Sequence, residues 1–596
     1  MRVADYIVDF IYRAGAKSVF LVSGGGMMHL SDAIYQHGKM KYFCTHHEQA
    51  AAMAAVTYAR YNDGIGSAFF TTGCGGTNAI TGLLDAWQDS TPCIFISGQV
   101  KRLQTKRGAG LPLRQFGVQE ADIISIVEPL SKYAAVVDDP NSVAYCMEKA
   151  LYLATSGRPG PSWLDIPMDV QSAQIDERVL RHFLPGEIKK DYKEEPTKGE
   201  LGALQDLISQ ATRPIVIAGQ GIKLAGAIAG FRSFVEKHGI PFVTPYLGIN
   251  LLPTDHPLNI GRIGAKGTRA GNFALQNCDL VITVGSRLDV SAVGYDYKNF
   301  AREAKHAVVD IDPVEHSKKT VRIDLFINAD AKRFFEAETL NTGDYSEWGR
   351  KCLYWREKWP VCLPEYKDDS KGINLYYFVD RLSAALKPDS VVVSDAGSCF
   401  YAVSQGISLK DGQRYITSGC QAEMGFTLPA TIGISVAREK GDVIGITGDG
   451  SFQMNLQELQ TIVHHGLPIK TFVWNNNGYL SIRTTQKRFL GGRLIGTDSS
   501  SGLSFPSVEK IAIAYGIKYF KAEKSEKLDL QLKEILDFQG PVLCEVMCNP
   551  DQEIVPTVSS YVKPDGTMAS RPMEDMYPFM GRDELKREMI IKPIDD

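Results

Sequence analysis

No stretch of the chain restricts its fold more than Gly448 to Tyr479, which reads GDGSFQMNLQELQTIVHHGLPIKTFVWNNNGY. Before it, Val443 to Thr447 are mostly apolar and β-prone. The line therefore reads as a buried strand, a Gly-Asp-Gly turn, a helix and a second strand, Ile469 to Trp474. Such a turn falls at a strand's C-terminal end, where open α/β sheets bind ligands. Gly448 and Gly450 let a ligand approach the backbone, and Ser451 with the amides after it opens a helix whose N-terminus favours phosphate. Asn476 follows the second strand, and parallel neighbouring strands would bring it to the same sheet edge as Asp449. One carboxylate and one amide oxygen are too few to cage a cation, so Mg²⁺ held there would complete its octahedron with water and ligand phosphate. No GxxxxGK[ST] occurs, which sets a P-loop NTPase aside.

The same strand-turn-helix order appears near the N-terminus. SVFLVSGG at Ser18 pairs with SVVVSDAG, whose Val391 follows Ser390, and VTYAR ending at Arg60 pairs with ISVAR ending at Arg438. GIGSAFFTTG at Gly64 pairs with GDVIGITGDG at Gly441, and GPSWLDIP at Gly160 with GPVLCEVM at Gly540. Four matches at a nearly fixed offset predict two similar parallel-sheet domains. Between them RPIVIAGQGI, IPFVTPYLG, DLVITVGSRLD and HAVVDIDP give a third series of apolar strands ending in Gly or Asp. The expected division is 1–170, a polar linker 171–198, a central domain 199–340, a linker 341–372, a C-terminal sheet domain 373–550, and a tail 551–596. The tail is too aromatic for disorder and is expected to pack over the active site or a neighbour. The fold class is α/β, with three doubly wound parallel-sheet domains.

Composition narrows the function. A formal net charge of −4 lacks the basic footprint of nucleic-acid binding. No cationic leader and no run approaching about 20 apolar residues is present, so a cytoplasmic protein without membrane association is expected. The eleven cysteines form no CxxC pair, and Cys74, Cys93, Cys146, Cys278, Cys420 and Cys544 read as buried free thiols.

GDGS, the helix, the strand and WNNNGY together resemble the thiamin diphosphate (ThDP) binding motif, and MNLQEL with LPIK resembles the acetohydroxyacid (acetolactate) synthase branch of that family. By this resemblance Asp449, Asn476 and the carbonyl of Gly478 hold Mg²⁺. Gly397, Ser398 and Cys399 of DAGSC, with Gly450 and Ser451, meet the diphosphate, Gly448 and Tyr479 are further cofactor-binding positions, and Met424 of AEMGFTLPA bends the cofactor. Glu48 of HHEQAAAMAA resembles the catalytic glutamate that shares a proton with N1′ of the aminopyrimidine, although an acid at a helix start also simply complements the dipole. Val22, Ser23 and Gly25 of VSGGG, Thr71, Cys74 and Asn78 of TTGCGGTN, and Gln119 of FGVQE line the ring and the reacting carbon. Gln119 and Lys132 are candidates for steering substrate. Ser23, Cys74 and the Ser398-Cys399 pair depart from the branch, which has Pro, Pro and Gln-His there.

The resemblance further implies a homodimer or homotetramer with sites between subunits. Pyruvate decarboxylases carry a His-His pair in the loop that spans Gln99 to Asp122 here. This loop has no histidine, which favours carbon-carbon bond formation over simple decarboxylation. Instead it carries Lys101, Arg102, Lys106, Arg107 and Arg114, and Arg483, Lys487, Arg488 and Arg493 follow Asn476, an anion grip if they face the site. With the SRPMEDMYPFMGR ending, this resembles acetohydroxyacid-synthase-like enzymes of bacterial surface-polysaccharide pathways, which attach a two-carbon unit to a nucleotide-linked keto-sugar. About 30 residues from Ile260 resemble that branch's flavin-binding region, with Gly267, Thr268, Arg287 and Asp312 as contacts for a structural FAD. The expected function is transfer of a two-carbon unit from pyruvate to a carbonyl acceptor. The alternatives are acetolactate synthesis and a non-catalytic flavin- or nucleotide-binding relic.

Overall fold

The computed structural model describes residues 1–562 and 566–594. Its three sheets are each six-stranded and wholly parallel. The first comprises β1 (Ser18–Leu21), β2 (Lys41–Cys44), β3 (Gly66–Phe70), β4 (Cys93–Gln99), β5 (Tyr133–Val136) and β6 (Pro161–Pro167), in the order β2-β1-β3-β4-β6-β5. The third comprises β13 (Val391–Ser394), β14 (Arg414–Thr417), β15 (Val443–Gly448), β16 (Ile469–Asn475), β17 (Lys518–Ala522) and β18 (Val542–Met547), in the order β14-β13-β15-β16-β18-β17. The two orders are identical, so the sequence repeat is a repeat of topology. Each switches direction between its first and third strands, opening a crevice at the strands' C-terminal ends.

The middle sheet differs. It holds β7 (Pro214–Ala218), β8 (Phe242–Thr244), β9 (Asn259–Arg262), β10 (Leu280–Val284), β11 (Lys305–Asp310) and β12 (Leu325–Asn328), in the order β12-β11-β10-β7-β8-β9. This is the strand order of dinucleotide-binding folds, with the crevice between β7 and β10.

The outer domains meet through two helices, Glu48–Asn62 and Thr427–Ala437. Small residues allow the approach: a Cβ on Gly433 would lie 2.1 Å from the carbonyl oxygen of Ala54. Thr57 crosses the seam and donates to the Ala430 carbonyl at 3.1 Å. Residues 50 to 59 of the first helix are all buried, which explains its nearly uniform apolar composition.

Two expectations change. The segment 341–372 holds a helix, Ser346–Lys358, because Trp348, Cys352 and Trp355 recur at helical spacing and pack into the central core. The tail docks chiefly on the central domain: Arg269 donates to the Met576 and Pro578 carbonyls, and Glu588 accepts from Lys351, Tyr354, Trp355 and Lys358. Four partners hold that carboxyl down at about 2. Among the described residues no helix is long and apolar enough to cross a membrane.

Candidate active site

Glu48 opens its helix, capped by the His47 ring, whose Nδ1 accepts the Gln49 amide at 3.1 Å. His47 is thereby a cap, and His46 is held by its amide against Glu458 at 3.0 Å. The Glu48 side chain is 8 % exposed, and its Oε2 accepts from Asn78 Nδ2 at 2.9 Å. A Cβ on Gly75 would come within 3.4 Å of Oε1 and 2.9 Å of Thr71 Cγ2, so the glycine keeps a slot open between them. Thr71 in turn accepts the Gly26 amide at 3.1 Å and crowds the position of a Gly24 Cβ. The turn after β1 and the turn after β3 thus close on one crevice, bringing Val22, Ser23, Gly25, Thr71, Asn78 and Glu48 together. Gln119 joins them through its backbone: its carbonyl oxygen would be 2.0 Å from a Cβ on Gly73.

Two expected residues depart from the sequence reading. Cys74 is exposed at this crevice, because its helix of residues 74–78 presents it to the opening rather than to the core. Lys132 is not at the crevice. It immediately precedes β5, so it sits at the N-terminal edge of the sheet, where its Nζ donates to the Arg158 carbonyl at 2.9 Å. Burial there pushes its pKa down.

The third domain builds the second half. Asp449 is 4 % exposed, and its two oxygens accept the Gly450 amide at 2.8 Å and the Gly478 amide at 3.0 Å. Those amides do not offset its burial, which pushes the carboxyl up to about 6. Asn476 is buried with its Oδ1 unpartnered. A desolvated carboxylate beside an orphaned amide oxygen is a donor set that a hard cation satisfies. The residues therefore fit Mg²⁺, and among the described residues no cluster of three His, Cys, Asp or Glu offers a rival metal site. Tight packing fixes the glycines: a Cβ on Gly450 would strike the Tyr479 ring at 2.0 Å, and one on Gly478, at φ +139°, would strike the Thr497 carbonyl oxygen at 2.2 Å.

Ser451 donates to Asp395 at 2.6 Å and accepts the Gly425 amide at 2.8 Å, tying the Met424 loop to the turn of Gly448 to Gly450. Cys399 sits 3.9 Å from where Gly448 would carry a Cβ, and Gly397, in the left-handed region at φ +65°, faces Ser481 Oγ. That hydroxyl is buried and unpartnered, so it is available to a phosphate oxygen.

Sequence reasoning missed four groups. Asp395, buried and pushed up to about 6, organises Thr447 and Ser451, and its place in the repeat was the available signal. Ser481 is the second. Arg483, read above as a charge at the mouth, is 5 % exposed and donates to the Asn476 and Asn477 carbonyls at 3.0 Å each. The fourth is a buried cluster in which Arg60 binds Asp85 at 2.8 Å and Asp89 at 2.9 Å, while Asp89 accepts the Gly419 and Cys420 amides. It clamps the Met424 loop to the first domain.

Many of the basic residues are already paired: Arg102 with Asp169, Lys106 and Arg107 with Asp122, and Lys487 with Asp551.

Three family models match in succession: the thiamine pyrophosphate enzyme N-terminal TPP binding domain at residues 1–126, the central domain at 201–338 and the C-terminal TPP binding domain at 395–546. The acetolactate synthase large subunit of Lactococcus lactis is 32 % identical over 575 residues, covering 94 % of this chain and 95 % of its own. The chain belongs to the acetolactate synthase-like thiamin diphosphate enzymes. The large subunit of acetolactate synthase isozyme 2 from Escherichia coli is 31 % identical, covering 97 % of this chain and all of its own, and the chloroplastic acetolactate synthase 1 of Zea mays is 30 % identical, covering 94 % and 87 %. The two crevices above lie in the regions that match the N-terminal and C-terminal TPP binding domains.

The central domain of this ThDP enzyme has a cavity of about 480 Å³ at the C-terminal edge of its sheet, lined by Gly221, Ser286, Arg287, Asp310 and Lys332 among others. Of the expected flavin contacts only Arg287 lines it. Thr268 spends its hydroxyl capping its own helix, Gly267 is packed against the Arg262 carbonyl, and Asp312 pairs with Arg158 at the cavity's edge.

Proposed function

We propose that this cytoplasmic enzyme decarboxylates pyruvate and transfers the two-carbon unit to a carbonyl acceptor, a nucleotide-linked keto-sugar. Its site lies between subunits of a homodimer or homotetramer. The observation carrying the reading is the pair of matched crevices on repeated domains, one holding Glu48 and the other Asp449 with the orphaned Asn476 oxygen. When bound, ThDP supplies the nucleophilic carbon and the electron sink that decarboxylation needs. Glu48 Oε2 is committed to Asn78, leaving Oε1 on the Gly75 side to exchange a proton with the aminopyrimidine nitrogen. Asp449, Asn476 and the Gly478 carbonyl hold Mg²⁺, with the Gly450 and Gly478 amides orienting the carboxylate. Met424, half-buried on a loop tied to Ser451 and Asp89, is placed to bend the cofactor.

The acceptor reading is supported by Lys101, Arg114, Arg488 and Arg493 of the two basic stretches, for which no described carboxylate partner is present, and by the histidine-free loop from Gln99 to Asp122. Incubating the holoenzyme with pyruvate and a panel of nucleotide keto-sugars should give a product one acetyl equivalent heavier by mass spectrometry. Rapid acetolactate from pyruvate alone, with no such product, would favour acetolactate synthesis. Failure to bind ThDP with Mg²⁺ would leave a non-catalytic relic. A structural flavin would occupy the central cavity, which a yellow purified protein would support and a colourless one would count against.

A further inference from the structure

Lys266 stands in an unusual electrostatic setting. It is half-buried where the central domain meets the third domain and the tail. Its ammonium lies 4.9 Å over the Tyr401 ring and donates to Thr557 Oγ1 at 3.4 Å. No described carboxylate pairs with it, and the charged neighbour acting on it is Arg488, a like charge. Burial and that neighbour push its pKa down to about 8. Arg488 likewise has no described carboxylate partner; it reaches the Ser560 carbonyl at 3.4 Å. The tail's Glu553 is occupied by the Tyr577 hydroxyl at 2.9 Å. Two cations brought together with no described carboxylate beside them repel each other, and an anion between them relieves that repulsion.

The position matters as much as the charge. Tyr401 lies on the helix Gly397–Gly406 and Arg488 on the helix Leu480–Phe489. Both helices start at the diphosphate turn, where Gly397 faces Ser481. At 1.5 Å rise per residue, Tyr401 is about 6 Å and Arg488 about 12 Å along them. Rings accompany both cations: the Arg488 guanidinium lies 5.3 Å over the Phe489 ring, which is 45 % exposed, as Lys266 lies over Tyr401. Flat apolar faces beside cations suit a base and its phosphates.

We propose that Lys266 and Arg488 form an anion subsite that reads the diphosphate of a nucleoside diphosphate-linked acceptor. The proposal rests on the acceptor reading above. The test uses holoenzyme loaded with ThDP and Mg²⁺. In Lys266→Met the KM for a nucleotide keto-sugar should rise about 10- to 100-fold while kcat at saturating acceptor holds, and Lys266→Arg should recover most of the loss. Direct titration of UDP and CDP into the same holoenzyme should weaken at least about tenfold in Lys266→Met and Arg488→Met. The control is Lys332→Met in the central cavity. Unchanged KM and binding in the Lys266 and Arg488 variants, loss in the Lys332 variant instead, or no binding of either nucleotide to wild type would each overturn the subsite. Lys266-dependent nucleotide binding without transfer to any keto-sugar would uphold the subsite and refute the acceptor.

Discussion

Replacing Arg483 by Met asks whether the loop presenting Asn476 and Gly478 is built before any ligand arrives. The guanidinium donates to the Asn476 and Asn477 carbonyls at 3.0 Å each and to the Pro550 carbonyl, and pairs with Asp498 at 3.4 Å. Methionine keeps much of the aliphatic bulk but leaves these acceptors without a donor. Hydrogen bonds to a charged group contribute about 1.5–3 kcal/mol each, and water entering the gap offsets part of the loss. A net cost of roughly 3 kcal/mol follows, or about 100-fold if it falls wholly on the loop geometry that Mg²⁺ requires. The assay is Mg²⁺ activation of pyruvate consumption at fixed ThDP, with ThDP quenching of tryptophan fluorescence as the binding readout. The apparent Mg²⁺ constant should rise about 100-fold with far-UV circular dichroism unchanged. Arg483→Lys should recover little, because one ammonium cannot span the carbonyls that a planar fork reaches. An Mg²⁺ constant within about threefold of wild type in a folded variant would refute the reasoning.

Other consequences follow from the same geometry. Gly478→Ala forces a side chain into the left-handed region at φ +139° and 2.2 Å from the Thr497 carbonyl, so Mg²⁺ binding in a titration should weaken by more than about tenfold. Arg60→Met leaves Asp85 and Asp89 buried without their cation, a loss of about 3–5 kcal/mol that should appear as a large fall in Tm. Burial pushes the Asp165 carboxyl up to about 7. A raised folded pKa stabilises below the ordinary carboxylate range, and that stability is lost as pH rises through 7. The urea midpoint of Asp165→Asn should therefore gain on wild type between pH 5 and 8, and a constant gap would contradict this.

Much of the architecture was legible because its signals are local. Glycine and Asp punctuate the ends of apolar runs, and the same punctuation recurs at Ser18 and Ser390, so the repeat predicted two like sheets. The helix Ser346–Lys358 was hidden because its apolar face rests on three widely spaced residues, Trp348, Cys352 and Trp355, within a charged stretch. Within the candidate site, residues adjacent to glycine turns can be read from the sequence, whereas those acting across the fold cannot. Nothing near Arg483 in sequence distinguishes an arginine turned inward onto carbonyls from one in solvent. Lys132 misled for the complementary reason: a sequence names a residue, but strand direction decides which sheet edge it occupies.

The central claim is that Glu48 activates a cofactor seated by Asp449 and Asn476. Its most direct measurement is exchange of the ThDP C2 proton into D₂O on the enzyme, followed by NMR. The account predicts that Glu48→Gln binds ThDP and Mg²⁺ within a few-fold of wild type yet exchanges at least about 100-fold more slowly. Exchange at the wild-type rate in that variant would contradict it.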